Sequence, residues 1–275
     1  MKVTTLLENK TTCDALRCEH GLSLYIETAE HRILFDSGAS DAFWKNAETL
    51  GIDLTRVDIA VLSHAHNDHC GGLLTFLEGN KTAKVYLQKE AFGDYYVVTP
   101  TRCAYIGLDP KLHEYADRFI MAEGVTKIDD ELTLFSGIKT HELLSEANAT
   151  LREKVGEDYP RDPFRHEQDL LVTENRKTVL FAGCAHSGIV NIINRAQEVL
   201  GRAPDCVFAG FHLYNPSLGQ PEPKTLVDAV GERLRGWQGT RYVTGHCTGG
   251  DAYAWLREKL GDRLDYMATG TTFTI

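Results

Sequence analysis

A cluster of metal-binding side chains at the end of an apolar strand constrains this chain more than any other feature. The segment reads Val61-Leu-Ser-His64-Ala-His66-Asn-Asp68-His69-Cys-Gly-Gly72 and places three imidazoles and one carboxylate within six residues. His64 and His66 alternate on an extended turn toward one ion. Asp68 and His69 follow where the chain begins to coil and can bind a second ion nearby. The pattern therefore predicts a site for two metal ions.

The types of ligand limit which metals can bind but do not single out one metal. Imidazole and carboxylate ligands suit zinc, manganese and iron, of which zinc is favoured and the other two stay open. A divalent ion lowers the pKa of a bound water from ~15.7 to about 7, and two ions roughly 3.5 to 4 Å apart can share a hydroxide. The cluster thus predicts two divalent metal ions as cofactors and a nucleophile that needs neither serine nor cysteine.

The composition and net charge limit the classes of partner that the chain can bind. A formal net charge of -10 opposes attraction to nucleic acid and to anionic membranes, so we expect a small-molecule substrate. No stretch approaches the ~18 apolar residues of a membrane span, and residues 1–10 lack the apolar core of a signal peptide, which indicates a cytoplasmic protein. The seven cysteines are dispersed without a Cys-x-x-Cys pair and are expected to be reduced. A homo-oligomer stays open.

Strand and helix patterns alternate in both halves of the sequence. Strands are predicted at 22–28, 33–36, 59–63, 83–87, 169–173, 178–183, 206–211, 241–244 and 266–275, and helices at 41–50, 71–77, 187–200, 223–237 and 250–260. This alternation is typical of a layered α/β architecture. We expect a single domain over residues 1–275, in which the less regular residues 91–163 form an elaborated segment near the active site. A peripheral excursion without a substrate role is the alternative.

Several longer strings carry a resemblance to a known group. Leu34-Phe-Asp36-Ser-Gly38, followed by the histidine cluster and by later strand-end histidines, resembles the metallo-β-lactamase superfamily over essentially the whole chain. The strings Glu19-His20-Gly-Leu-Ser23, Gly183-Cys-Ala-His186-Ser-Gly-Ile-Val-Asn-Ile192, Gly210-Phe-His212-Leu213 and Thr244-Gly-His246-Cys-Thr248 resemble its dihydropterin-ribofuranosylaminobenzene phosphate synthase-like branch of metal-dependent hydrolases. The resemblance implies a four-layer αββα sandwich of two similar halves, with the metals at one edge between the sheets.

Later residues complete the metal ligands that the resemblance implies. His246 matches the last ligand of the superfamily and is expected at the second metal. His186, at a strand-to-helix turn, is expected to be the third ligand of the first metal. Cys184 stands where the superfamily commonly has a bridging aspartate, so it either bridges the metals or lines the pocket as a buried thiol. His166 and Glu167 are alternatives for the third ligand, because they precede the hairpin that leads to Cys184.

Other polar residues are expected around the metals. Asp36 is expected, by resemblance, to orient the metal loop through hydrogen bonds, with a simple turn residue as the alternative. Asp68 is expected to orient the nucleophile as well as bind metal. His212 and His20 are expected to face the same cleft, His212 as a catalytic group, although a structural histidine is the alternative for each.

Two features suggest a phosphorylated substrate. Ser187-Gly188 opens a helix beside the expected ligand His186, and a helix N-terminus favours an anion. Arg102, Arg161 and Arg165 are candidates for a cationic clamp, although exposed arginines commonly serve solubility alone.

The leading functional hypothesis is a hydrolase whose metal-bridged hydroxide attacks a phosphoester, ester or amide-like bond. The alternative is a transferase that condenses a dihydropterin pyrophosphate-type substrate with a ribofuranosyl aminobenzene phosphate. A redox role like that of the superfamily's di-iron flavoproteins is disfavoured, because those proteins place a glutamate where this chain has His66. A non-catalytic metal-binding sensor is the weakest alternative.

Overall fold

Two seven-stranded β-sheets form the centre of the computed structural model, which describes all 275 residues. The strands are β1 (Lys2–Leu7), β2 (Ser23–Glu27), β3 (Arg32–Phe35), β4 (Ile59–Val61), β5 (Lys84–Gln88), β6 (Tyr95–Thr99), β7 (Arg102–Tyr105), β8 (Phe119–Ala122), β9 (Val125–Lys127), β10 (Leu132–Ser136), β11 (Leu151–Glu153), β12 (Gln168–Glu174), β13 (Lys177–Phe181), β14 (Cys206–Gly210), β15 (Tyr214–Asn215), β16 (Gln220–Pro221), β17 (Arg241–Gly245), β18 (Leu264–Tyr266) and β19 (Thr272–Thr274). The helices are α1 (Ala42–Thr49), α2 (Asn67–Cys70), α3 (Leu73–Gly79), α4 (Ile189–Leu200), α5 (Lys224–Gly236) and α6 (Gly250–Leu260). Short 3-10 turns cover Leu54–Arg56, Pro110–Arg118, Glu146–Thr150, His246–Thr248 and Gly261–Arg263.

The two large sheets repeat one pairing scheme. The first has the order β19-β1-β2-β3-β4-β5-β8 and the second β9-β10-β12-β13-β14-β17-β18. In each, the first three neighbouring pairs are antiparallel and the last three are parallel. The chain therefore consists of two halves of similar topology, as the resemblance implied.

Side-chain alternation along the strands creates the layers. In β13, Val179 and Phe181 belong to the apolar core between the two sheets, whereas Leu180 belongs to the core beneath α4, α5 and α6. Successive strand residues point to opposite faces, so one strand serves both layers. The rings of Phe35 and Phe181 meet across the sheets at 5.9 Å. A third core joins α1 and α3 to the first sheet. The result is the αββα sandwich that was expected.

The ends of the chain depart from the sequence prediction. The single strand predicted at 266–275 is wrong, because β18 lies in the second sheet and β19 in the first. Gly270 has a φ of 89°, which lets the chain turn between the sheets. Strand β1, which pairs with β2 and β19, was not predicted, since its Thr4-Thr5 pair interrupts the alternation of apolar residues.

In residues 91–163 the sequence pattern indicates strand-like pieces near Phe119 and Leu132, and the structure has β8 and β10 there, whereas β6, β7, β9 and β11 were not predicted. Strands β11, β6 and β7 form a small separate sheet, while β8, β9 and β10 extend the two large ones. No helix of the structure combines the length and the hydropathy of a membrane span.

Candidate metal centre

The candidate site residues follow the carboxyl ends of five strands. Asp36 follows β3, His64 follows β4, Cys184 follows β13, and His212 and His246 follow β14 and β17. Asp36, His212 and His246 have φ values of 58°, 47° and 51°, in the left-handed region that non-glycine residues rarely adopt. Such strain persists only where the surroundings fix it and concentrates at functional sites.

Three imidazoles form the group that we call the first metal position: His64, His66 and His186. Their ring centroids lie 4.8 Å apart in all three pairs. Nε2 of His64 and Nε2 of His186 are 3.2 Å apart. The structure thus brings His186 to His64 and His66, from which it is separated by more than a hundred residues.

A second group, the second metal position, consists of Asp68, His69 and His246. Nε2 of His246 lies 3.2 Å from Nε2 of His69 and 3.2 Å from Oδ2 of Asp68. The thiol of Cys184 lies 3.1 Å from Nε2 of His69. Cys184 also groups with His64 and His186, with ligand atoms within 4.8 Å of one another, so it lies between the two positions.

Oxygen partners fix the orientation of four of these rings. The pairs are His64 Nδ1 with Ser63 Oγ at 2.8 Å, His69 Nδ1 with Asp36 Oδ2 at 2.6 Å, His186 Nδ1 with Asn148 Oδ1 at 2.9 Å, and His246 Nδ1 with Asn9 Oδ1 at 2.9 Å. Each Nδ1–H donates to its oxygen, so each Nε2 presents a lone pair to the cluster. This is the arrangement by which proteins orient metal-binding imidazoles.

His66 is oriented the other way round. Its Nε2 is buried without a hydrogen bond and lies 3.6 Å from Oδ2 of Asp162. Since Nε2 lies toward Asp162, Nδ1 is the nitrogen left for a metal ion, and His66 also lines the cleft.

The donor set fits divalent cations. At the first position, the Nε2 lone pairs of the neutral His64 and His186 face each other at 3.2 Å, which is repulsive unless a cation lies between them. At the second position, Nε2 of His69 and Nε2 of His246 are also 3.2 Å apart, beside the carboxylate of Asp68. Burial, and then the neighbouring imidazoles, hold the pKa of His64 and of His186 well below the ordinary value, so both are neutral. Burial acts to raise the pKa of Asp68, but His69, His20 and His246 lower it well below its usual range. Neutral imidazoles and an ionised carboxylate are the forms that bind metal.

Asp36 supports both positions from beneath. It is buried, accepts hydrogen bonds from the Ser63 backbone N–H and hydroxyl at 2.7 Å each, and accepts the bond from His69. Ser63 in turn accepts from His64. A Cβ at Gly183 would overlap Ser63 and His64, so only glycine allows the loop after β13 to approach so closely. The orienting role expected of Asp36 agrees with these contacts.

His212 and His20 occupy different places in the cleft. Both ring nitrogens of His212 are buried without partners, and its ring lies 4.2 Å from that of His186. Nε2 of His20 lies 3.2 Å from Oδ2 of Asp68, and its side chain is 44% exposed. Both residues line the cleft, together with Cys184 and Cys247.

The contacts do not support His166 or Glu167 as metal ligands, because their donor atoms already have partners. Nδ1 of His166 accepts from the Ala65 backbone N–H at 3.0 Å, and its Nε2–H donates to Asp162 at 3.0 Å. Glu167 accepts from the backbone N–H groups of His186 at 2.6 Å and Ser187 at 3.0 Å. Glu167 therefore already occupies the Ser187 backbone N–H, one of the groups at which an anion was predicted to bind.

The cleft above the cluster has a volume of about 250 Å³. Its walls include Val97, Ile106 and Leu151 from the 91–163 segment, and Arg102 lies at its rim. Of the three arginines considered for a clamp, Arg102 alone lines the cleft. Arg161 and Arg165 pair with Glu146 and Glu153 instead.

Three orienting residues were not found from the sequence: Asn9, Asn148 and Asp162. Each reaches its histidine across a large sequence separation, 237 residues for Asn9 and 38 for Asn148. No local spacing marks such a pair. A hydrogen-bonding side chain beside a cleft-lining turn is the one signal that could have suggested Asn148.

Known proteins are similar to this chain in sequence and in fold. The family model described as the metallo-beta-lactamase superfamily matches residues 16–194. The chain belongs to the metallo-β-lactamase superfamily. Within the superfamily, a Methanocaldococcus jannaschii protein described as uncharacterized is 32% identical over 77% of this chain and 80% of its own length. The 7,8-dihydropterin-6-methyl-4-(beta-D-ribofuranosyl)-aminobenzene-5'-phosphate synthase of the same organism is 24% identical over 98% of this chain and 95% of its own length.

A solved structure extends the likeness to the whole fold. A crystal structure described as a metal-dependent hydrolase of the beta-lactamase superfamily has a TM-score of 0.84 and 25% identity, and the match covers 100% of this chain and 99% of the other. The superfamily match over residues 16–194 includes the histidine cluster, Cys184 and His186, whereas His212 and His246 lie beyond it.

Proposed function

We propose that this superfamily member is a metal-dependent hydrolase of a small, anionic substrate. One observation carries the proposal: four imidazoles have Nδ1 tied to oxygen and Nε2 directed into a single cluster beside a cleft. A histidine that only filled space would not need this shared orientation. The likeness to a metal-dependent hydrolase of the superfamily supports the same reaction class.

Two divalent ions would be held by the two groups. His64, His66 and His186 would hold the first, and Asp68, His69 and His246 the second. Cys184 would add a thiolate between them, since its sulfur lies within reach of both groups. A thiolate beside imidazoles favours zinc over manganese, with iron as the remaining alternative.

When bound, such ions supply a Lewis acid and lower the pKa of a bound water to about 7. The side chains of the chain then orient and move protons. Oδ2 of Asp68 lies 3.2 Å from the rings of His20 and His246 and can accept a hydrogen bond from the attacking water. His212 has two ring nitrogens without partners and can hold a proton for the leaving group.

The charge of the cleft supports an anionic substrate. Its lining includes Arg102, and Asp68 is its sole carboxylate, although the whole chain carries a net charge of -10. The apolar walls would hold the body of a small molecule and exclude water. Phosphate esters, and esters of carboxylic acids with an anionic tail, fit this description.

A transferase is the second candidate, and the synthase relative favours it because the likeness covers 98% of this chain. In that reaction the same centre would bind a dihydropterin pyrophosphate-type substrate and a ribofuranosyl aminobenzene phosphate. Quenching of protein or pterin fluorescence on addition of a dihydropterin would separate this candidate from the hydrolase.

The experiment is turnover by purified protein reconstituted separately with zinc, manganese and ferrous iron. The panel contains phosphodiesters, phosphomonoesters, lactones and thioesters, with His66→Ala as the matched control. We expect metal-dependent hydrolysis of one class that the control lacks. If metal-loaded protein hydrolyses none of these substrates but binds a dihydropterin, the result would favour the transferase. If it hydrolyses none of them and binds neither these substrates nor a dihydropterin, the result would favour the metal-binding sensor.

A further inference from the structure

We propose that Asn148 and Asp162 are positioning residues for the first metal position, so that its metal affinity depends on the segment that lines the cleft. This inference rests on the proposed function, since it assumes that the two groups bind metal. The second position is oriented by other parts of the chain and does not depend on that segment.

Asn148 holds His186 by two bonds. Its Oδ1 accepts from Nδ1–H of His186 at 2.9 Å, and its Nδ2 donates to the carbonyl oxygen of His186 at 2.9 Å. The first bond fixes the ring proton on Nδ1, and the second fixes the backbone from which the ring projects. Together they direct Nε2 of His186 toward His64. Loss of Asn148 would free both the ring rotation and the tautomer.

The turn that carries Asn148 is also part of the cleft wall. Ala147 and Thr150 from the 3-10 turn Glu146–Thr150 line the cleft on either side of Asn148. The Ala147 backbone N–H donates to Glu222 at 2.6 Å, and its carbonyl accepts from Asn215 at 3.1 Å. Asn215 lines the cleft as well. A molecule in the cleft therefore touches the same turn that orients His186.

Asp162 plays the corresponding part for His66. It is buried, its Oδ1 accepts from the Phe164 backbone N–H at 2.7 Å, and its Oδ2 accepts from Nε2–H of His166 at 3.0 Å. The same oxygen lies 3.6 Å from Nε2 of His66. His166 binds the Ala65 backbone between the two histidines of the motif. Asp162 thus lies against the ring of His66, and its partner His166 fixes the Ala65 backbone beside His66.

Residues outside this segment orient the second position. Asp36, which holds His69, follows β3, and Asn9, which holds His246, follows β1. The buried carboxylate of Glu8 accepts from the His246 backbone N–H at 2.5 Å and from the Tyr266 hydroxyl at 2.9 Å. These partners belong to the first sheet and its strand ends.

The test is stepwise titration of metal-free protein with zinc against a chromophoric chelator. The variants His186→Ala and His246→Ala assign the two binding steps by removing one each. Asn148→Ala should weaken the first-position step by about 10- to 100-fold and leave the other unchanged, as loss of an orienting partner generally does. Asn9→Ala should do the reverse. Asp162→Asn should weaken the first-position step again.

Two further variants separate positioning from general damage. Asn148→Asp keeps the acceptor for Nδ1–H and loses the donor to the backbone, so its zinc affinity should lie nearer the wild type than that of Asn148→Ala. Glu146→Ala, an exposed neighbour on the same turn, should leave both steps unchanged. Circular dichroism and thermal unfolding of metal-free protein check that every variant folds.

The outcomes separate the two proposals. Wild-type protein that binds no zinc would overturn the proposed function. Two normal steps that Asn148→Ala and Asn9→Ala weaken equally, or leave alone, would overturn the positioning role while the proposed function stands.

Discussion

The two candidate metal positions share Cys184 but differ in what holds their histidines. His69 and His246 are tied to Asp36 and Asn9, which follow strands of the first sheet. His186 is tied to Asn148, on a turn that lines the cleft. The histidines of the second position are therefore held by strand ends of the first sheet. His186 of the first position is held by the segment that lines the cleft. Two neighbouring metal positions with similar ligands therefore need not bind metal with the same affinity.

Asp36 is where the two positions meet, because it holds His69 directly and His64 through Ser63. Replacing it with alanine leaves these buried donors without an acceptor. We expect Asp36→Ala to lower the free energy of unfolding by about 3 kcal/mol or more and to weaken both metal positions. Chemical denaturation and zinc titration measure the two effects. Loss of one position alone would show that Asp36 does not link them.

Gly183 offers a way to disturb the first position selectively. A methyl group at Gly183 would overlap Ser63 and His64 and push the His64 ring from its orientation. Gly183→Ala is expected to destabilise the protein by about 1 to 3 kcal/mol and to weaken the first-position zinc step. Gly236→Ala, at a position with open space around it, is the matched control. An unchanged first step in Gly183→Ala would mean that the His64 orientation tolerates the shift.

A substitution of Arg102 tests substrate binding in the cleft rather than metal binding. If it binds the anionic end of the substrate, Arg102→Ala should raise KM about 10-fold and leave kcat and both zinc steps nearly unchanged. Arg161→Ala should behave like the wild type, since Arg161 pairs with Glu146 away from the cleft lining. Steady-state kinetics on the hydrolysed substrate measure both constants. Equal KM values for the two variants would show that Arg102 does not bind the substrate.

The sequence pattern marks most of the candidate ligands at the strand ends. His64, His66, Asp68 and His69 come from one loop, and an apolar strand before a histidine cluster is a local pattern. The layered α/β architecture also follows, because alternation and helix periodicity are local, whereas the two similar halves were expected from the family resemblance.

What the sequence could not reveal depends on distant contacts. The Asn148 and Asp162 roles arise only when the 91–163 segment folds back over the strand ends. The contact of Glu167 with the Ser187 backbone N–H, at the turn where a phosphate was predicted, escaped the sequence for the same reason. Strand β19 is short and pairs with β1 at the other end of the chain.

The metal content of reconstituted protein tests the central claim most directly. Elemental mass spectrometry would count zinc per chain in the wild type, in His66→Ala and in His246→Ala after removal of free metal. The two-position account predicts two ions in the wild type and one in each variant, with a different step missing in the titration of each. A wild type without bound zinc, or variants that both keep two ions, would contradict it.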